Sequence, residues 1–182
     1  MEREEEQKIL TKFRDYVIKE AQNNISKLNL TYSGNLRASI KGEAKIMKNS
    51  LRLFFDMEEY GFFQDKGVKG ANPSLVKNGI QKAPNSEFSF KIKKPPMQPL
   101  KMWAQKKNIR FRDSGGKYKK GNYDAIGFWL QKRIFAQGIK PSLFFTKPFN
   151  AAFKNLPDEM IQAYGLEAEE TFDTIMKENF KK

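Results

Sequence analysis

Ile9, Phe13, Tyr16, Val17 and Ile25, with Leu10 beside them, recur at steps of three, four and eight along residues 2–26. That spacing traces one face of an α-helix. Glutamates crowd its first turn, where the helix dipole favours negative charge. Asn23, Asn24 and Ser26 weaken its end. A short helical turn follows in TYSGNLRASI, residues 31–40. Thr31 or Ser33 is placed to cap it, Gly34 removes side-chain bulk at the corner, and Leu36 and Ile40, four apart, point to one side while Asn35 and Arg37 point to the other. After Gly42 the period changes to two. Leu51, Leu53, Phe55 and Met57 alternate with Arg52, Phe54 and Asp56 as in a half-buried strand, and Lys48-Asn49 supplies a turn from an earlier strand near residues 42–47.

Further along, EEYGFFQDKG (58–67) reads as a short helical or irregular passage. Residues 67–87 contain three glycines and two prolines with no sustained period, and read as a long loop. FSFKIK (88–93) alternates as a strand and is stopped by Pro95-Pro96. QPLKMWAQKK (98–107) reads as a short helix with Pro99 in its first turn. Residues 110–122 form a basic, glycine-containing loop. Tyr123, Ile126, Gly127, Leu130 and Ile134 predict a helix over 123–136, ended by Gly138 and Pro141. Thr146 ahead of Pro148 looks like a further helix start. Ile161, Tyr164, Ala168, Phe172, Ile175, Met176 and Phe180 predict a last helix over 158–180, with Gly165 inside it.

Composition narrows what such a chain does. Hydrophobic residues make up 39%, with 16 Phe, which suffices for a core, and charged residues make up 30%. The longest apolar runs are a few residues, far short of the ~20 needed to span a membrane. The acidic, polar start MEREEEQK reads as no signal peptide. Cysteine and histidine are absent. Disulfides, thiol chemistry and the commonest zinc ligands are thereby excluded, together with the usual general base near neutral pH. No paired-carboxylate motif, P-loop or nucleophile elbow is present. The expectation is a protein that is not an enzyme and carries no cofactor or metal.

The net charge is +13, unevenly spread: residues 66–120 hold fifteen Lys and Arg against two acids, whereas residues 1–26 and 158–182 hold thirteen acids against eight bases. The basic loops, with Lys66, Lys69, Lys77, Lys82, Arg110, Arg112, Lys117, Lys119 and Lys120, admit three readings. They are solvated surface, contacts to DNA phosphates, or contacts to the acidic ends of neighbouring copies. Tyr118 and Tyr123 are too few to claim a platform for single strands. Loops this polar are expected to order mainly through neighbours or DNA. Phe144, Phe145, Phe149 and Phe153 are either core or anchors into a neighbouring subunit. Trp103 and Trp129 are core or interface anchors.

Four segments carry a resemblance. SGNLRASI (33–40) resembles the TGxLRxSI corner of tailed-phage neck and tail-completion proteins, with Ser33, Gly34, Leu36, Arg37 and Ile40 on the motif. YGFFQDKGVKG (60–70) is similar to their YAxFVExG segment, with Asp65 in place of Glu. LKMWAQKKNI (100–109) resembles their WixxKGI helix, and residues 125–153 resemble their ending. The segments follow the family's order over most of residues 30–155. The resemblance implies an α+β fold in which a small antiparallel sheet packs against helices. With the long N- and C-terminal helices that the periodicity predicts, and a length that fits one domain, the expectation is one domain over 1–182: a helix at 1–28, an α+β core at 29–155 and a helix at 156–182. The resemblance further implies a structural virion protein, assembled in the host cytoplasm into a homo-oligomeric ring at the head–tail junction. Such a ring joins portal and tail proteins around the DNA channel. The corner would then fix the angle between helix and sheet in every copy. The other function class the charge allows is a stand-alone basic nucleic-acid-binding protein.

Overall fold

The computed structural model describes residues 3–30, 34–47, 50–119, 122–164 and 172–174. In chain order its elements are α1 (Arg3–Lys27), α2 (Asn35–Ser39), β1 (Lys41–Ile46), β2 (Leu51–Asp56), α3 (Glu59–Lys66), β3 (Val68–Lys69), a 3-10 turn (Pro73–Leu75), α4 (Met97–Lys106), α5 (Tyr123–Gln137), β4 (Gly138–Ile139), α6 (Thr146–Phe153) and α7 (Asp158–Tyr164). The fold class is α+β, mostly helical, with two small antiparallel sheets, β1–β2 and β3–β4. Contacts group the chain into two compact units. The first is discontinuous, residues 1–65 with 142–182, and the second is residues 66–141.

In the first unit α1 buries Leu10, Phe13, Val17, Ala21 and Ile25. The face is therefore shifted from the expected one: Tyr16 is 46% exposed and the small Ala21 takes a core position. β1 and β2 form the expected hairpin, with Gly42 opposite Phe55, Ala44 opposite Leu53 and Ile46 opposite Leu51. Those pairs share the core face, as a period of two requires. Lys48-Asn49, read as the turn, lies outside the described residues. The Gln7 side chain ties α1 to the hairpin. Its amide nitrogen donates to the Ala44 carbonyl (2.8 Å) and its oxygen accepts from the Ile46 N–H (2.9 Å), as a neighbouring strand would.

Phe13, Phe55, Phe145, Phe149 and Phe172 meet at the centre of this unit, mostly edge to face or tilted, with Phe145 stacked on Phe149. Phe13–Phe149 lies at 5.5 Å and Phe55–Phe145 at 5.2 Å, both near perpendicular. Edge-to-face contact is the favoured arrangement of aromatic quadrupoles. Leu10, Ala44 and Met160 make a second cluster, against which Ile9, Ile46, Leu51, Leu53 and Tyr164 pack. The expected last helix is present over Asp158–Tyr164, and residues 172–174 are helical. Gly165, Ala168, Ile175, Met176 and Phe180 lie outside the described residues.

In the second unit α4 packs on α5 at Gly127, where a β-carbon would stand only 3.2 Å from the Lys101 side chain. Asn122 caps α5, its side-chain oxygen accepting from the Asp124 and Ala125 N–H groups. The expected strand at 88–93 is corrected. Only Ser89 bridges to Lys69, with the Phe88 carbonyl and Phe90 N–H bonded to that residue, and Phe90 packs on Phe135. Beyond Phe90 the lysines 91, 93 and 94 face water and Ile92, 91% exposed, meets no apolar surface that would hold a strand.

Residues 67–87 and 110–122 are largely irregular, as expected, and their described parts carry hydrogen bonds of their own. The Gln81 amide bonds both the N–H and the carbonyl of Gly70. The Lys82 N–H donates to the Gln137 carbonyl, the Ala71 N–H to the Phe135 carbonyl, and the Ser86 hydroxyl to the Gly67 carbonyl. Residues 111–119 fold into a small hairpin in which Arg112 pairs with Tyr118. Its tip is closed by the Asp113 carboxylate on the Lys117 N–H and by Gly116 at φ +79°. Side-chain amides and turn chemistry replace the apolar burial that these segments lack.

Candidate functional site

The corner singled out in the sequence is built as a joint. Gly34 precedes α2 at φ +86°, Leu36 and Ile40 are buried, and Arg37 is exposed. Ser33 and Thr31 lie outside the described residues. Leu36 rests on Gly61 of α3: a β-carbon there would come within 2.6 Å of its Cδ1. The Ser39 hydroxyl donates to the Leu36 carbonyl and accepts from the Glu58 N–H, linking the end of α2 to the start of α3. The Gln22 amide donates to the Arg37 carbonyl and ties the joint to α1. Tyr60 at the start of α3 has its pKa raised, first by loss of water and then by Glu58, while a hydrogen bond with the Leu36 backbone acts the other way.

At the far end of α3 stands Asp65, 1% exposed and the buried carboxylate of this unit's described core. Its Oδ1 accepts from the Phe145 N–H (2.8 Å) and the Thr146 N–H (3.2 Å), and its Oδ2 from the Thr146 hydroxyl. It thus caps α6 from eighty residues away, with the aspartate charge at the helix N-terminus. Thr146, expected to begin the helix as its cap, instead donates to that carboxylate. The neighbouring carbonyls join in. Gln64 accepts from the Ser142 N–H and hydroxyl, and Asp65 from the Leu143 N–H. The polar atoms of this clasp are therefore spent on the chain itself.

Phe144, Phe145, Phe149 and Phe153 are buried, the first three almost completely. As candidates for an oligomer interface they are corrected: rings held in the core offer no area to a neighbour. Large apolar side chains that do reach solvent are elsewhere, among them Ile80, Ile92, Phe128 and Trp129. Sequence reasoning found Trp129 but not its setting.

The basic candidates belong to the second unit. Lys77, Lys82, Arg110, Arg112, Lys117 and Lys119 are exposed, Lys66 and Lys69 half-buried, and Lys120 lies outside the described residues. Charge divides with the units. Residues 66–141 hold eighteen Lys and Arg against three acids, a net +15, whereas the rest holds sixteen against eighteen, a net −2. Three carboxylates cannot neutralise eighteen cations. Within this unit Lys101 pairs with Asp124 at 2.6 Å. The Arg112 guanidinium lies over the Tyr118 ring at 4.7 Å and that of Arg133 over Trp129 at 5.2 Å, both cation–π contacts. Partial loss of water and, after it, the Arg133 charge lower the pKa of Lys82.

Among the described residues no group of three or more acidic side chains is placed to hold a metal ion, and no helix is long and apolar enough to cross a membrane. What the arrangement offers chemically is a stiff joint in one unit and a dense positive field on the other. Compared with protein-family models, curated proteins and solved structures, the chain matches none of them.

Proposed function

We propose that this chain is a structural, non-enzymatic virion protein, the subunit of a homo-oligomeric ring at a tailed-phage head–tail junction, joining portal and tail components around the DNA channel. The observation that carries the reading is the meeting of the segments on which the resemblance rests. The SGNLRASI corner packs on YGFFQDKG through Leu36 and Gly61, and that segment's Asp65 caps the helix of the TKPFNAAF segment. A closed ring also needs identical geometry in every copy, since angular errors accumulate around a cyclic interface. A corner pinned by Ser39, Gln22 and Leu36 is suited to that. The positive unit would meet DNA through phosphates, without reading sequence, so that the duplex can pass.

The test is cross-linking and mass spectrometry on purified particles. The expected result is several copies of the chain per particle, with cross-links between copies and to portal or tail proteins. Absence from particles, or a lone copy without self-contacts, sinks the reading. The +15 of the second unit favours one alternative, a stand-alone nucleic-acid-binding protein. In that case the purified chain shifts DNA as a small species and never enters particles.

A further inference from the structure

A line of contacts runs along α5 of the second unit. Phe111 of the 111–119 hairpin meets Trp129 edge to face, with ring centres 5.8 Å apart. Trp129, Arg133 and Gln137 follow at steps of four, on one helical face. The Arg133 guanidinium lies over the indole while its Nε donates to the Gln137 side-chain oxygen at 2.9 Å. The Gln137 carbonyl accepts from the Lys82 N–H, also at 2.9 Å. One buried glutamine therefore holds two cationic residues next to each other, by its side chain and by its backbone. Neither Lys82 nor Arg133 makes an ion pair among the described residues. Holding two like charges together is unfavourable: the pKa of Lys82, lowered first by loss of water, is lowered further by the Arg133 charge. An anion bridging them would relieve it.

We propose that Lys82 and Arg133, oriented by Gln137 and Trp129, form a phosphate-gripping site for the backbone of nucleic acid. The inference deepens the reading that the basic unit meets DNA, and rests on it. A polyanion is the occupant that the charges select. The first unit carries only −2, so a neighbouring copy could not balance +15, whereas a nucleic-acid backbone brings one charge per phosphate. A guanidinium seated on an indole keeps N–H groups directed outward for phosphate oxygens, and its planar fork suits them. Trp129, 41% exposed, and Phe111, 37%, fix the guanidinium and flank the site with flat surface for sugar or base.

The experiment uses the full-length protein and fluorescence anisotropy with a random-sequence duplex and its single strand, across a salt series. Lys82→Gln/Arg133→Gln is compared with Lys117→Gln/Lys119→Gln, an equal charge change on the hairpin; thermal melting checks that each variant folds. The expected result is a loss of roughly tenfold or more for the first pair, with a duplex salt slope lower by about 1.8, and a clearly smaller loss for the second. Arg133→Lys, which keeps the charge but not the fork, should fall between wild type and the first pair, and wild-type tryptophan fluorescence should change on binding unless Trp129 is replaced by Phe. Binding of the duplex alone, or of the single strand alone, would identify which form supplies the phosphates. Equal losses for the two pairs would overturn the site while leaving a generally DNA-attracting unit. Poly-glutamate competing as well as DNA at equal charge would overturn it in favour of an acidic protein partner. A chain found as a ring in particles yet binding no nucleic acid would sink this inference alone; binding through the site by a chain absent from particles would sink the ring alone.

Discussion

Asp65 does at a distance what a capping side chain usually does within one turn. A local cap is legible because Ser, Thr, Asp or Asn stands next to the helix it serves. Here the capping oxygen belongs to α3 and the helix begins at Thr146, so nothing near Thr146 announces it, and Thr146 itself was the natural but mistaken choice. Replacing Asp65 by Ala takes the acceptor from three donors, the buried Phe145 N–H and the part-buried N–H and hydroxyl of Thr146. We expect a loss of about 2–4 kcal/mol in urea unfolding. Asp65→Asn keeps one acceptor oxygen for the N–H groups and should cost clearly less; equal losses would mean that the charge, not the cap, matters. Leu36→Ala should cost about 2–5 kcal/mol, because Leu36 is buried against Gly61. Lys82 gives a pH signature. Its folded pKa lies below the ordinary value of 10.5, so the folded state disfavours the ammonium. That penalty is fully present below the folded pKa and is relieved as pH rises through the window up to the unfolded value. The stability advantage of Lys82→Met over wild type, measured by denaturation from neutral to alkaline pH, should therefore shrink as pH rises.

At the scale of elements, the regular period made α1, the β1–β2 hairpin, α4 and α5 legible, nearly to their ends. The misses have physical causes. Phe88, Phe90 and Ile92 alternate like a strand, but the pairing with Lys69 is confined to the bridge at Ser89 and Ile92 is left exposed. The order within 67–87 comes from Gln81 and from carbonyls of α5, groups that no periodicity reports. Two glycines differ both in backbone strain, with ψ −8° at Gly34 and −172° at Gly138, and in space. Gly34 has φ +86° but open room for a β-carbon, so Gly34→Ala should cost only about 1 kcal/mol, the price of the left-handed backbone. Gly138 has the same φ, yet its β-carbon would run into the Val68 carbonyl oxygen across the β3–β4 pair. Gly138→Ala should cost roughly 2–4 kcal/mol, since a backbone atom must move. Thermal unfolding of the two variants side by side checks the contrast, and a Gly34→Ala loss as large as that of Gly138→Ala would refute it.

For the whole molecule, the basic middle of the chain was legible from charge alone, but its meaning as a separate unit was not. The reason is that the first unit is closed by residues far apart in sequence. The Gln64 carbonyl accepts from the Ser142 N–H at 3.0 Å, and the Asp65 carbonyl from Leu143 at the same distance. Within the second unit, Val68 pairs with Ile139 and Lys69 with Gly138. Each unit therefore holds its own two chain ends together, the arrangement of an insertion that can be removed. The phenylalanine core, the Asp65 clasp and the Leu36 joint draw on residues 1–65 and 142–174 alone. Replacing residues 66–141 by a short Gly-Ser linker should leave a protein that unfolds cooperatively, because closing so short a loop costs little entropy. The same deletion removes fifteen net positive charges, so the shortened chain, at −2, should lose its hold on cation exchangers and on DNA together. Circular dichroism melts and anisotropy with duplex DNA measure the two halves of this expectation separately. Loss of cooperative unfolding would show that the first unit needs the second to fold. A folded deletion variant that still bound DNA with undiminished affinity would move the nucleic-acid contact off the basic unit altogether.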